Sequence, residues 1–309
     1  MAAFETFVIG VYVTVDEFRQ EHLPPEPARP GPRPGLCLSE VLTLALVGQL
    51  ARFPSERAFH RFAEAHLRGL FPGLPGRTQL NRLVRRQHGA LVALGRRCAR
   101  QLDALSAPFE ALDTTAVPLR NAKRRGFGAL PEVAALGKSL RLGWFEGVRL
   151  LLCVTDRGTI TGFGLGSGNE QDRVLAEEFF AQRALPEQAL PSVGRPASGA
   201  YLADGAFAGR AARARWAECY DAHVYAPPQP DSAERWPPGL RRWHAAARQV
   251  VETVFQRLLQ GFRLERERPR TLAGLLTRVA AKVALHNVLI SRNRREGRPD
   301  LALVEAVGW

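Results

Sequence analysis

The chain has 309 residues, enough for one large domain or two modest ones, and 46% of them are hydrophobic, which excludes wholesale disorder. It carries 43 Lys and Arg against 30 Asp and Glu, a formal charge of +13. An excess of that size points to a polyanionic partner, with nucleic acid ahead of a membrane surface. Forty of the 43 bases are Arg and three are Lys (Lys123, Lys138 and Lys282); GC-rich codon usage explains Arg in place of Lys, but not the excess of bases over acids.

The charge is uneven. Residues 1–50 carry a net −3 and residues 51–100 a net +9, and a localised excess marks a DNA-facing surface better than a global one. The apolar run Phe7–Val15 follows Glu5 and no Lys or Arg, so it makes a poor signal peptide. No apolar stretch approaches the roughly 18 residues of a membrane span, so no membrane partner is expected. Cys37, Cys98, Cys153 and Cys219 are far apart and form no CxxC, which leaves reduced thiols in a cytoplasmic chain as the default.

Residues 21–35 hold six prolines and are expected to form a linker or extended arm. An apolar-periodic run then extends to Ala51, with Ser39 placed to cap it, and further helical patterns cover 55–70 and 90–105. Between them, Pro75 and Gly76 make a turn, Thr78 is placed to cap, and Leu80, Leu83 and Val84 form one apolar face from which Arg82, Arg85 and Arg86 project away. Two readings stay open: a recognition helix after a tight turn, or a basic amphipathic helix packed on its neighbours.

From residue 106 the texture changes to strands. Phe109–Asp113, Gly147–Thr155, Thr159–Leu165, Tyr201–Asp204 and Cys219–Ala226 read as five strands, with helices over 172–183 and 209–217. A proline-rich loop over 227–239 leads to a helix bearing Glu252, and a last helix runs from Thr271 to about Asn293. The order is βββαβαβ followed by helices.

Three carboxylates stand out on that frame. Asp113 and Asp204 each close an apolar run, and Glu252 lies between Val251 and Phe255, at the rim of an apolar helix face and directed along the sheet edge. Singly, each has a plainer explanation: a turn former at Asp113, a turn dipeptide at Asp204-Gly205, a helix ion pair of Glu252 with Arg248. Together, two strand-end aspartates and one helix glutamate offer an oxygen-only ligand set, which suits Mg²⁺ or Mn²⁺ and not zinc. Two such ions carry out phosphodiester chemistry. Arg120, Lys123, Arg124 and Arg125 follow the first strand and could track phosphates beside such a site.

Several segments carry a family resemblance: Leu38–Thr43 (LSEVLT), Leu70–Pro75 (LFPGLP), Asn81–Arg85 (NRLVR), Leu112–Pro118 (LDTTAVP), Leu202–Gly205 (LADG), Arg248–Phe255 (RQVVETVF) and Arg270–Leu275 (RTLAGL), followed by Lys282 and Asn287. In these the chain resembles the DDE transposases of bacterial insertion sequences, closest to the 982-type group. The resemblance implies an α/β fold: a ribonuclease H-like mixed five-stranded sheet flanked by helices over 106–293, preceded by an all-helical DNA-binding region over 1–105 and followed by a tail over 294–309. It places the catalytic, metal-holding roles on Asp113, Asp204 and Glu252, with two Mg²⁺ ions for which Mn²⁺ can substitute. It gives Arg248 a DNA-contacting or site-ordering role. The implied partners are double-stranded DNA, as terminal inverted repeats and target, and a second copy of the chain in the synaptic complex, in a cytoplasmic, nucleoid-associated setting. The extended motif of related groups has a Lys seven residues after the Glu and a Tyr three before the Arg; here those positions are Leu259 and Ala245.

Overall fold

Every side chain along Glu110–Arg120 is buried or half-buried and none is exposed, as in a strand covered on both faces, and the sheet is built on it. In the computed structural model, residues 2–24, 35–120, 130–185, 196–229 and 231–302 are described. Most of the proline-rich segment, and Lys123, Arg124 and Arg125, lie outside the described residues.

The elements in chain order are α1 (Ala2–His22), α2 (Leu38–Val47), α3 (Glu56–His66), α4 (Arg77–Arg86), α5 (His88–Gln101), β1 (Glu110–Arg120), β2 (Ala135–Ser139), β3 (Gly143–Thr155), β4 (Ile160–Ser167), α6 (Asp172–Ala184), β5 (Gly199–Ala203), α7 (Arg210–Tyr220), β6 (Ala222–Tyr225), α8 (Pro238–Gln256) and α9 (Leu272–Arg295). They pack as two compact units. One comprises the described residues up to Cys98, Gly261–Arg263 and those from Ala273 onward; the other comprises Ala99–Gln260 and Leu264–Leu272.

The second unit holds a mixed sheet in the order β2-β3-β1-β5-β6, with β4 also on β3. β1, β3 and β4 pair antiparallel, whereas β5 and β6 run parallel to β1. Three antiparallel strands followed by two parallel ones, with helices alongside, is the ribonuclease H-like arrangement expected from the sequence. The sixth strand, β2, was not expected. It pairs with Gly143–Gly147 at the start of β3, on the edge that β4 covers further along. Leu112, Leu151, Tyr201 and Ala203 pack against Leu175, Phe179 and Phe180 of α6 and Trp216 of α7. Glu177 of α6 ties the two helices together by accepting hydrogen bonds from Arg215 (2.7 Å), Trp216 Nε1 (2.8 Å) and Tyr220 (2.7 Å).

Several strand boundaries differ from the sequence reading. β3 starts at Gly143, where β2 pairs with it, and not at Gly147. β1 continues seven residues beyond Asp113, because β3 pairs with it as far as Arg120. Cys219 and Tyr220 belong to α7 and not to the fifth strand; the helix stops at Asp221, which adopts a left-handed conformation (φ 52°).

In the first unit the aromatic side chains of Phe4, Phe53, Phe59 and Phe62 cluster, with ring centroids 5.0–6.3 Å apart. α9, from Ala273 onward, packs in this unit. The reason is polar as well as apolar: Arg278 pairs with Glu56 (2.5 Å), the buried Lys282 donates to Gln49 (2.5 Å), and the buried Asn287 donates to Gly95 O (3.0 Å). By length and composition α9 could span a membrane, but 83% of its apolar window is buried inside the protein, as in a core helix. Ser39 does not cap α2: Cys37 is the N-cap, and Ser39 donates to Asp16 (2.7 Å). Thr78 lies inside α4, whose N-cap is Gly76.

Gly73 and Gly35 meet backbone to backbone, so that a Cβ on Gly73 would lie 1.7 Å from the Gly35 carbonyl oxygen. No side-chain rotation relieves a clash with a main-chain atom. Gly73→Ala should therefore lower stability by about 1–3 kcal/mol, measured as a lower urea midpoint with an unchanged slope. An unchanged midpoint would show that the approach is not obligatory.

Candidate active site

Strand alternation decides which way the acids face. Glu110 and Leu112 point to the α6 side of the sheet, where Glu110 pairs with Arg183 and Leu112 joins the core. Asp113 therefore points to the opposite side, against which α8 packs. On β5, Tyr201 and Ala203 face α6, so Asp204, the next residue, leaves the strand on the α8 side as well. The parallel register places Leu112 opposite Ala203, which makes Asp113 and Asp204 the next residues along two neighbouring chains. Asp204 caps a short 3₁₀ turn, its Oδ1 accepting from Ala206 N–H (2.8 Å).

Asp113 is largely buried, and both its oxygens are engaged. Oδ1 accepts from Thr114 N–H (2.7 Å) and Oδ2 from Arg248 of α8 (2.9 Å). Burial pushes its carboxyl up to about 7; Arg248 pulls it back and the nearby charges of Asp204 and Asp172 push it further up. Burial of the Asp113 carboxylate, with Asp204 beside it, thus carries a cost that the one guanidinium does not offset.

Glu252 lies one turn beyond Arg248 on α8 and is exposed, not directed along a buried rim. The apolar side of this turn is taken by Val251, Val254 and Phe255, which leaves Glu252 outside the packed stripe. Among the described residues, no group of three or more His, Cys, Asp or Glu is close enough to hold a metal ion. The fold brings Asp113 close to Asp204 and Arg248, and Glu252 follows Arg248 one turn along α8 on an exposed position.

Three further residues border the site. Asp172, at the start of α6, accepts from Thr114 Oγ1 (2.5 Å) and Arg149 (3.1 Å). They link β1, β3 and α6 directly behind Asp113. The only sequence signal was an acid in the first turn of a helix, which is too common to single out. Of the proposed DNA-binding residues, Arg82, Arg85 and Arg86 are all exposed on α4, whose Leu80 is buried. Arg120 sits 3.6 Å from Glu146 and is only 13% exposed.

A ribonuclease H-like sheet with adjacent aspartates on its first and fourth core strands defines a class of nucleic-acid-processing proteins. Within that class the chain belongs to the transposase DDE domain family, whose model matches residues 111–288, more than half of the chain. No curated protein matches. The protein is therefore a transposase, with DNA as its partner and the divalent-metal dependence that the family implies. The match spans Asp113, Asp204, Arg248 and Glu252 alike.

Proposed function

We propose that this transposase nicks the ends of its insertion sequence and joins the freed 3′-OH to target DNA, with Asp113, Asp204 and Glu252 as metal ligands. The observation that carries this reading is the Asp113–Asp204 pair: two carboxylates on neighbouring strands, one with its carboxyl raised to about 7. An oxygen-only donor set whose negative charge Arg248 only partly compensates fits a hard cation such as Mg²⁺, with Mn²⁺ as substitute. When bound, two such ions supply Lewis acidity, activating water or a 3′-OH and neutralising charge on the leaving oxygen.

The chain's own residues then have defined work. The Thr114 and Ala206 N–H groups orient Asp113 and Asp204. Glu252, on the same helix as Arg248, supplies the third carboxylate. The helical region over 1–105 holds the DNA end through Arg82, Arg85 and Arg86, a salt-sensitive attachment, and a second copy of the chain holds the other end. The 982-type subgroup belongs to the same reading.

The test is cleavage of duplex DNA bearing the element's own terminal repeats, with Mg²⁺ present. Native protein should nick at the element end. Asp204→Asn and Glu252→Gln should each abolish nicking and leave DNA binding intact. Full cleavage by Glu252→Gln would remove Glu252 from the ligand set. Specific binding without any cleavage by the native protein would favour the alternative of a catalytically silent, domesticated DNA-binding descendant.

A further inference from the structure

Arg248 stands where a cation bound to Asp113 has to act. Its NH2 group donates to Asp113 Oδ2 at 2.9 Å, and the two side chains are only 13% and 16% exposed. The remaining Asp113 oxygen is taken by the Thr114 N–H. A guanidinium carries five N–H donors in a fork suited to two oxygens at once. Arg248 uses a single N–H on a single oxygen here, and its Nε is buried with no hydrogen-bond partner among the described residues. The pair is thus close and shielded from water, yet leaves the arginine under-used.

We propose that Arg248 is an internal counter-ion that occupies the Asp113 position in the absence of substrate and gives it up to a DNA phosphate, so that metal and DNA bind cooperatively. This rests on the reading of Asp113 as a metal ligand. A divalent cation at Asp113 and the guanidinium on the same carboxylate repel each other, so each weakens the other's hold. A phosphodiester offers Arg248 two acceptor oxygens and satisfies the donors that Asp113 leaves idle. Once the arginine has turned to the phosphate, Asp113 regains a free oxygen. By linkage, DNA then strengthens metal binding by the same factor as metal strengthens DNA binding. Free protein holds its metal site weakly, and the site fills on the substrate. Arg248 acts through Asp113 and is a positioning residue in this respect.

The test measures Mn²⁺ affinity by calorimetry or by the spin resonance of free Mn²⁺, with and without duplex DNA. Without DNA, Arg248→Gln should bind Mn²⁺ at least about fivefold more tightly than native protein, the lower end of usual coupling. Arg248→Lys keeps the charge and should bind as weakly as native. Duplex DNA should tighten Mn²⁺ binding to native protein by a clearly larger factor than to Arg248→Gln. The proposal is overturned if Arg248→Gln binds no more tightly than native, if Arg248→Lys matches Arg248→Gln, or if DNA tightens both proteins equally. Asp113→Asn separates the two levels: Mn²⁺ binding undiminished in that variant would overturn the metal-site reading itself, whereas binding lost there but unaffected by Arg248→Gln overturns the counter-ion role alone.

Discussion

Asp113→Asn should give a protein that no longer cuts DNA yet melts at a higher temperature than native at pH 8. Burial, Asp204 and Asp172 hold the Asp113 carboxyl up to about 7 despite Arg248, against an ordinary value of 3.8. A carboxyl whose folded-state value lies above its unfolded one stabilises the fold most below the unfolded value. That contribution is lost as pH rises through the folded value, because the unfolded chain releases the proton more readily. The loss starts near pH 4 and is complete a little above pH 7. A shift of this size corresponds to a cost of up to about 4 kcal/mol at pH 8. The Asn variant never ionises and escapes that cost, so its advantage should be present at pH 8 and absent at pH 4.

Adding Mg²⁺ at a concentration high enough to fill the weak site of the free protein should narrow the gap, because a ligand that binds only the folded state stabilises it by mass action, and native protein alone has the full site. Scanning calorimetry at the two pH values, with and without Mg²⁺, checks all of this. A variant that melts no higher than native at pH 8, or higher by the same margin at pH 4, would show that Asp113 is not held at an energetic cost. Loss of activity with gain of stability is the usual mark of a functional site kept under strain.

How much of this was legible depended on where each signal lay. β4 and β5 read to within two residues at each end, and β3 over Gly147–Thr155, because their buried residues come in consecutive runs. β2 did not: the sequence Ala-Leu-Gly-Lys-Ser has little strand preference, and Gly143–Gly147 of β3 supplies the pairing that makes it a strand. β1 was cut short at Asp113 because a carboxylate followed by two threonines reads as the end of an apolar run. The half-buried Asp113, Thr114 and Thr115 are paired by β3 and served by partners up to 135 positions away. Asp113 and Asp204 could be read as a pair because each follows strand residues that the register sets opposite one another. The Arg248–Asp113 ion pair, the Asp172 cluster and the exposure of Glu252 depend on how α8 and α6 sit on the sheet, which no local spacing encodes.

The largest stability effect should come from Glu110, three residues before Asp113. Its carboxylate is buried and paired with Arg183 of α6 at 2.6 Å. Arg183 also donates to Tyr201 (3.0 Å) and Thr161 (2.8 Å), and Thr161 donates to Glu110. Gly162 leaves room for this arrangement, since a Cβ there would come within 2.9 Å of both Arg183 and Phe179. Burial alone would lower the Arg183 value, but Glu110 holds it above the usual arginine range, so the guanidinium stays charged.

Glu110→Gln leaves that charge buried without a counter-ion and should cost about 3–5 kcal/mol in urea unfolding. Replacing both partners by apolar residues, Glu110→Leu with Arg183→Met, should recover most of the loss, because no orphaned charge remains. Activity should not recover with it. Glu110 and Tyr201 are direct partners across β1 and β5, in a pairing of three residues that ends immediately before Asp113 and Asp204. Arg183 bonds to both members of that pair, so it pins the two strands in the register that sets the aspartates side by side. A one-residue slip would move them apart by roughly 3.3 Å. The double variant should therefore be folded, bind DNA and cleave it poorly, with a weakened Mn²⁺ affinity that a purely structural role would not produce. Native cleavage in a stable double variant would show that packing alone sets the register.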